Sequence, residues 1–153
     1  MSRIEIPLEV FVTLKAEYDR NEKSYFRIKR ALLPSDLKEM SDFYDLLKKI
    51  PSEYQEDLRS NLSQFSRVVY MFPYIRHSSK AKRLGESLSE SITKFRMTQF
   101  MKTQDESAIR VLRNLCRIAE NPYVNMEKVG RMLFYWNDNQ KRKIVEDYYM
   151  ALV

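Results

Sequence analysis

Two glycines in 153 residues, Gly85 and Gly130, leave this chain few ways to turn sharply. Hairpin turns, dinucleotide-binding loops and phosphate-cradling loops all draw on glycine for left-handed or closely approached backbone. None of these is available here. Apolar residues recur at helical spacing throughout, with no convincing run of period-two alternation. The expectation is an all-α fold.

Apolar spacing predicts a first helix over 8–22, with Leu8, Phe11, Val12, Leu14, Lys15 and Tyr18 on its inner side. A basic connection follows at 23–30. Pro34 and Ser35 open a short helical turn, since proline suits a first turn and serine caps it. Ser41 is expected to cap a helix through Phe43, Tyr44, Leu46 and Leu47, which Pro51 breaks. A long helix from Ser52 then buries Tyr54, Leu58, Leu62, Phe65, Val68, Val69 and Phe72, and Pro73 ends or kinks it. Beyond a basic loop at 76–83, Leu84, Leu88, Ile92 and Phe95 form one stripe. Further helices are predicted over 107–120 and over 126–136, the latter with Val129, Met132, Leu133 and Trp136 inward. Asn137 or Asp138 caps a last helix whose Ile144, Val145, Tyr148 and Leu152 face the core. A weak boundary near 74–82 divides an N-terminal helical part, 1–75, from a C-terminal helical bundle, 76–153. The first is expected to pack on the second as one compact unit.

The helix at 107–120 is apolar nearly all round. At ~100° per residue, Ala108, Ile109, Val111, Leu112, Leu115, Cys116, Ile118 and Ala119 cover most of its circumference. Such a helix is buried on most sides. Its remaining strip holds Arg110, Arg113, Asn114 and Arg117, an outward ridge of three arginines without a carboxylate. Arginine is the side chain best shaped to clasp phosphate in a fork.

Charge supports an anionic partner. The net charge is +6 and the isoelectric point about 9.4, which suits nucleic acid, an anionic membrane surface, or merely a soluble basic protein. The signs are segregated rather than interspersed. Acids dominate 35–57. Positive charge gathers at 23–30, 76–102, the 110–117 ridge and Lys141 to Lys143. The ridge therefore has two readings: a phosphate clasp, or a bridge to the acidic stretch within or between chains. No helix-turn-helix, zinc-finger or RNA-recognition signature is visible. Binding is thus expected to follow backbone and strand shape, salt-sensitively and almost blind to sequence.

Catalysis is poorly supported. His77 is the single histidine and lies in a basic loop without an orienting acid nearby. A phosphate contact, a backbone contact or plain exposure is expected of it. Asp105-Glu106 is expected to supply charge and capping to the arginine helix, and Glu146-Asp147 to pair with Arg142 or Lys143. One cysteine and one histidine make no structural zinc site. Cys116, opposite the ridge, reads as a small buried hydrophobe. No metal and no cofactor is expected. No apolar stretch approaches the ~20 residues of a membrane span, and no secretory leader is evident, so a cytoplasmic protein is expected. Among the aromatics, Trp136 reads as core. Tyr25 and Phe26, inside the basic 23–30 segment, are the better candidates for stacking on bases.

Several stretches taken together resemble a known family. They are FRIKRA at 26–31, PSDLKE at 34–39, DFYDLL at 42–47, RLGESL at 83–88, VLRNLCRIAE at 111–120, GRMLFYW at 130–136 and IVEDYY at 144–149. In this order and spacing the chain resembles the CasB family, the small subunit of the type I-E CRISPR surveillance complex Cascade, from about Tyr18 to its C-terminal end. The resemblance implies an all-helical, non-catalytic protein. It implies two copies head to tail, between the guide-RNA backbone subunits and the large subunit. There they help hold the opened DNA, above all the displaced non-target strand, while guide RNA supplies sequence recognition. The family's basic contacts match Arg30 with Arg27 close by, Lys80 or Lys82, and Arg96 with Lys102. Where relatives carry a double arginine, this chain has Arg113-Asn114, with Arg110 and Arg117 on the same ridge.

The expected nucleic-acid-binding set is therefore Arg27, Lys29, Arg30, Lys80, Lys82, Arg96, Lys102, Arg110, Arg113 and Arg117. The expected partners are DNA of both strands, guide RNA, other Cascade subunits and a second copy of the chain, with no membrane. The competing reading is a structural adaptor whose ridge meets acidic protein.

Overall fold

A computed structural model describes residues 6–152; the outer ends of the two expected parts, 1–5 and 153, lie outside the described residues. At its centre is α7 (Asp105–Ile118), with Ala108, Ile109, Leu112, Leu115 and Cys116 buried. Around it pack α4 (Leu62–Met71), α6 (Lys94–Met101) and the 3-10 segments Pro34–Glu39 and Phe72–Tyr74. The helix α1 (Glu9–Arg20) lies on α8 (Met126–Phe134), and α4 touches both α7 and α8. Helices of the N-terminal and C-terminal parts thus share one hydrophobic core running from Val10 to Tyr148. The fold is all-α, as the apolar spacing predicts.

Both glycines serve close helix contacts rather than turns. A Cβ at Gly85 on α5 (Leu84–Ser89) would stand 2.3 Å from the Ile144 carbonyl oxygen of α9 (Asp138–Ala151). A Cβ at Gly130 on α8 would stand 2.5 Å from the ring of Phe11 on α1. Neither glycine has positive φ; among the described residues the left-handed positions belong to Asp105, Glu120 and Asn121.

Among the described residues three helix starts carry a side-chain cap; the expected cap Ser41 is instead the first residue of its helix, after Met40. Asn137 caps α9 by accepting from Gln140 N–H at 3.1 Å. Asn125 caps α8, and Thr93 caps α6. Helix ends are closed by buried or half-buried cations, which complement the carbonyl-rich end of the dipole. Lys15 is buried and donates to Phe72 O at 3.0 Å and to Asp19 at 2.5 Å. Arg67 donates to Leu133 O at 2.8 Å and to Phe134 O, closing α8. Lys141 donates to Met101 O at 3.1 Å and to Thr103 O, closing α6.

Three expectations need correction. The long helix from Ser52 is broken into a 3-10 turn (Ser52–Tyr54), α3 (Gln55–Arg59) and α4. The break falls at Ser60-Asn61, where the Asn61 amide donates to Asp57 O at 2.9 Å, a short polar side chain competing with the helix ladder. Likewise the stripe Leu84–Phe95 spans two helices. The cap at Thr93 resets the phase, so Met97 and Phe100 are buried and Phe95 is 72% exposed. Trp136 follows the end of α8 and is half-buried against the core rather than inside it.

The remaining elements are α2 (Ser41–Leu47), the 3-10 segment Glu22–Arg30, and a parallel pair of two-residue strands, β1 (Arg76–His77) and β2 (Tyr123–Val124). Arg76 N–H donates to Pro122 O at 3.0 Å and Ser78 N–H to Val124 O at 2.9 Å. This pair ties the basic 76–83 loop to the start of α8.

Candidate nucleic-acid interface

The basic connection at 23–30 is wound into the 3-10 segment Glu22–Arg30, kinked at Tyr25. Its buried residues are Tyr25 and Ile28; Lys29 and Arg30 are exposed. The segment ends beside the ridge face of α7. Together they form a groove of about 570 Å³, walled by Lys29, Arg30, Ala31 and Leu32 on one side and by Arg110, Val111, Asn114 and Arg117 on the other. Arg113, Tyr70 and Tyr74 complete the lining. No carboxylate lines it.

Arg113 corrects the picture of an outward ridge of three arginines. It is 7% exposed. Its guanidinium donates to Ala31 O at 2.7 Å and Ile28 O at 3.0 Å, and lies 4.0 Å from the Tyr70 ring centre and 5.0 Å from that of Tyr74. The bonds serve carbonyls at the end of the 3-10 segment; Ile28 O also accepts from Ala31 N–H at 3.3 Å. Tyr70 O–H fixes the next residue by donating to Leu32 O at 2.7 Å. Burial lowers the Arg113 pKa, yet a guanidinium stays charged in a protein. Among the described residues no carboxylate pairs with it, and its Nε has no partner. The groove therefore has a fixed, uncompensated positive charge beneath it.

Asn114, standing where the resembled family carries a second arginine, is a positioning group. Its Oδ1 accepts from Arg117 Nε at 3.2 Å and Nη2 at 2.8 Å. Lys29 Nζ lies 5.5 Å from the Tyr74 ring centre. The alternative that the ridge bridges to the acidic 35–57 stretch within the chain is not what the structure shows: Arg110 and Arg117 pair with no carboxylate among the described residues.

The other expected cations do not join this groove. Arg27 is taken up by buried Asp42, its Nη1 donating to Oδ1 at 3.0 Å and its backbone N–H to Oδ2 at 2.9 Å. The acidic stretch does dock a basic neighbour, but it is Arg27. Lys82 is paired with Glu90 at 3.0 Å. It lines a separate cavity of about 580 Å³, with Arg83, Lys128, Lys143, Glu146 and Asp147 around it. Lys80 is exposed in the same loop; Arg96 and Lys102 are exposed on and just after α6. These three pair with no carboxylate among the described residues, and they line neither cavity.

The candidate chemical groups have structural work. His77 Nδ1 accepts from Met126 N–H at 3.1 Å at the start of α8, a backbone contact. Asp105 and Glu106 place negative charge in the first turn of α7, as expected, and Glu106 also accepts from Ser35 N–H at 2.5 Å, tying the Pro34–Glu39 turn to it. Asp147 pairs with Arg83 at 3.2 Å, not with Arg142 or Lys143. Cys116 is fully buried, and burial pushes its thiol up to about 12. Among the described residues no three His, Cys, Asp or Glu side chains cluster to hold a metal ion, and no helix is long and apolar enough to cross a membrane.

Tyr70 and Tyr74 were not legible as lining residues. Their spacing of four on the way out of α4 is the one sequence signal that places them together.

No family model and no curated protein matches the chain. Among solved structures it is similar to a chain of E. coli Cascade bound to a PAM-containing double-stranded DNA target. The TM-score is 0.76 and the identity 22%, over 98% of this chain and 99% of that one. A likeness at that identity establishes a shared fold over the full described length.

Proposed function

We propose that this chain is a non-catalytic subunit of an RNA-guided CRISPR surveillance complex of the Cascade type, and that its groove holds the backbone of the displaced DNA strand. One observation carries the reading. Four exposed cations from segments distant in sequence, Lys29, Arg30, Arg110 and Arg117, converge on a groove with no carboxylate in its walls. Arg113 adds fixed positive charge below. The shared fold with a chain of a DNA-bound Cascade supports the same reading.

The mechanism is electrostatic. Each phosphate neutralised by the groove releases condensed counterions, which favours binding without reading bases. Exchange of duplex DNA for an RNA–DNA hybrid is near balance. Holding the displaced strand then opposes reclosure. Lys80, Arg96 and Lys102 extend the contact along the strand, to the target strand or to guide RNA. Arg27 and Lys82 stay 53% and 63% exposed while paired with Asp42 and Glu90, and add to the positive surface from outside the groove. Other Cascade subunits and a second, head-to-tail copy complete the assembly, in the cytoplasm of a prokaryotic cell.

The test is the double charge reversal R110E/R117E. Two lost single-strand contacts at about 0.7 each should remove about 1.4 from the slope of log affinity against log salt. R-loops formed by the assembled complex should dissociate faster. An unchanged slope overturns the role of these residues.

The adaptor reading keeps one observation in its favour. Phe95 and Met150 stand 72% and 86% exposed on α6 and α9, two helices that pack on each other and line no part of the groove. As the sole function it predicts salt-sensitive assembly and no single-strand binding.

A further inference from the structure

Beside the groove lies an exposed aromatic ring with cationic neighbours, and it needs an explanation of its own. Phe26 is 42% exposed in a segment that otherwise presents charge to water. The Arg27 guanidinium stands 4.6 Å from its ring centre and that of Arg30 5.0 Å. Side chains three apart eclipse one another on a 3-10 turn, so both arginines lie along one side of this segment. The ring also walls a recess of about 350 Å³ with Tyr18, Glu22, Lys23 and Lys29. Lys29 belongs to both the recess and the phosphate groove, and Arg30 reaches from the groove wall to the ring. Its neighbour Tyr25, the other stacking candidate, is 4% exposed and donates to Glu17 at 3.3 Å, so it offers no face to a base.

We infer that Phe26 is a stacking platform for one unpaired nucleobase of the strand whose phosphates occupy the adjoining groove. This rests on the reading of the groove as a strand-binding site, and it adds a requirement that the groove alone does not impose. Cations hold the phosphates of single and double strands alike. A ring needs a free base face, which a duplex hides between neighbouring pairs. In a single strand each base hangs one sugar away from its phosphate, and here the apolar recess adjoins the cationic groove through Lys29. Every base has a π-face, so the platform selects unpaired strand without selecting sequence. Charge complementarity favours this occupant. Phosphates are drawn to Lys29 and Arg30, and the arginines beside the ring attract the π-face of any base stacked there.

The test uses the full chain and two end-labelled oligonucleotides of equal length, one of ordinary single-stranded DNA and one abasic throughout, compared by fluorescence anisotropy across a salt series. The wild-type chain should bind the base-bearing strand at least about fivefold tighter than the abasic one. F26A should erase that preference and leave the salt slope unchanged. F26L, which keeps the apolar bulk, should erase it too, whereas F26W should retain it. Equal binding of both strands by the wild-type chain, or a preference that survives F26A, overturns the platform. The groove fails differently: R110E/R117E should weaken both strands, flatten the slope and keep the base preference. A chain that binds neither strand overturns both readings.

Discussion

Replacing Arg113 separates a structural guanidinium from a strand-contacting one. In R113A the carbonyls of Ile28 and Ala31 lose the guanidinium bonds of 3.0 and 2.7 Å, while Ile28 O keeps the Ala31 N–H. Hydrogen bonds from a charged group are worth about 1.5–3 kcal/mol each, so the two together represent about 3–6 kcal/mol. Against this stands relief of the cost of burying a charge with no carboxylate partner, which in comparable sites amounts to about 1–4 kcal/mol. The net expectation is a loss of about 2 kcal/mol, a substantial share of the ~5–15 kcal/mol of a typical domain. R113K keeps the charge but lacks the flat fork that spans two carbonyls and lies on two tyrosines; it should fall between. R110A and R117A, exposed on the same helix, should stay within about 0.5 kcal/mol of wild type. Urea unfolding followed by far-ultraviolet circular dichroism measures all four. If R113A is as stable as R110A, the guanidinium is not holding the 28–31 segment and the reasoning fails.

Three further outcomes test other features. G130A should cost about 1–3 kcal/mol, because its methyl group would sit 2.5 Å from the Phe11 ring between packed helices; calorimetric melting with an unchanged helical spectrum at low temperature checks it. The native chain should leave a thiol reagent unreacted at pH 8, because burial pushes Cys116 up to about 12. Folding raises this pKa, so the unfolded chain releases its proton first. That contribution to stability is intact below the ordinary thiol range and is lost as pH climbs toward 12. Burial also raises Tyr18 and Tyr70, which act in the same direction. Equal melting temperatures at pH 8 and pH 10.5 would contradict this linkage.

Helical periodicity carried most of the architecture. Seven apolar positions of α7 repeat so regularly that its burial followed from angles alone. The same logic failed at Phe95, where the stripe continues on paper through a cap that resets the helix phase. It failed at Ser60-Asn61 because local hydrogen bonding, not hydrophobic spacing, decides where a ladder stops. The candidate site was half legible. Lys29, Arg30, Arg110 and Arg117 were named from charge segregation and from the family resemblance, and they do converge. Arg113 lies about 60° to one side of Arg110 on the helix wheel. Whether such a marginal position is buried depends on which segment packs over it, and residues 28–31 are more than eighty positions away. Arg27 stands apart from the groove for the matching reason: Asp42, which pairs with it, adjoins it only in the folded chain.

The placement of the glycines reaches into the unfolded chain as well. With both at helix crossings, corners fall to residues with a Cβ, such as Asp105, Glu120 and Asn121. A chain without glycine corners samples fewer backbone conformations when denatured, so each connection gives up less entropy on folding. The saving falls on the connections between helices, which hold no glycine.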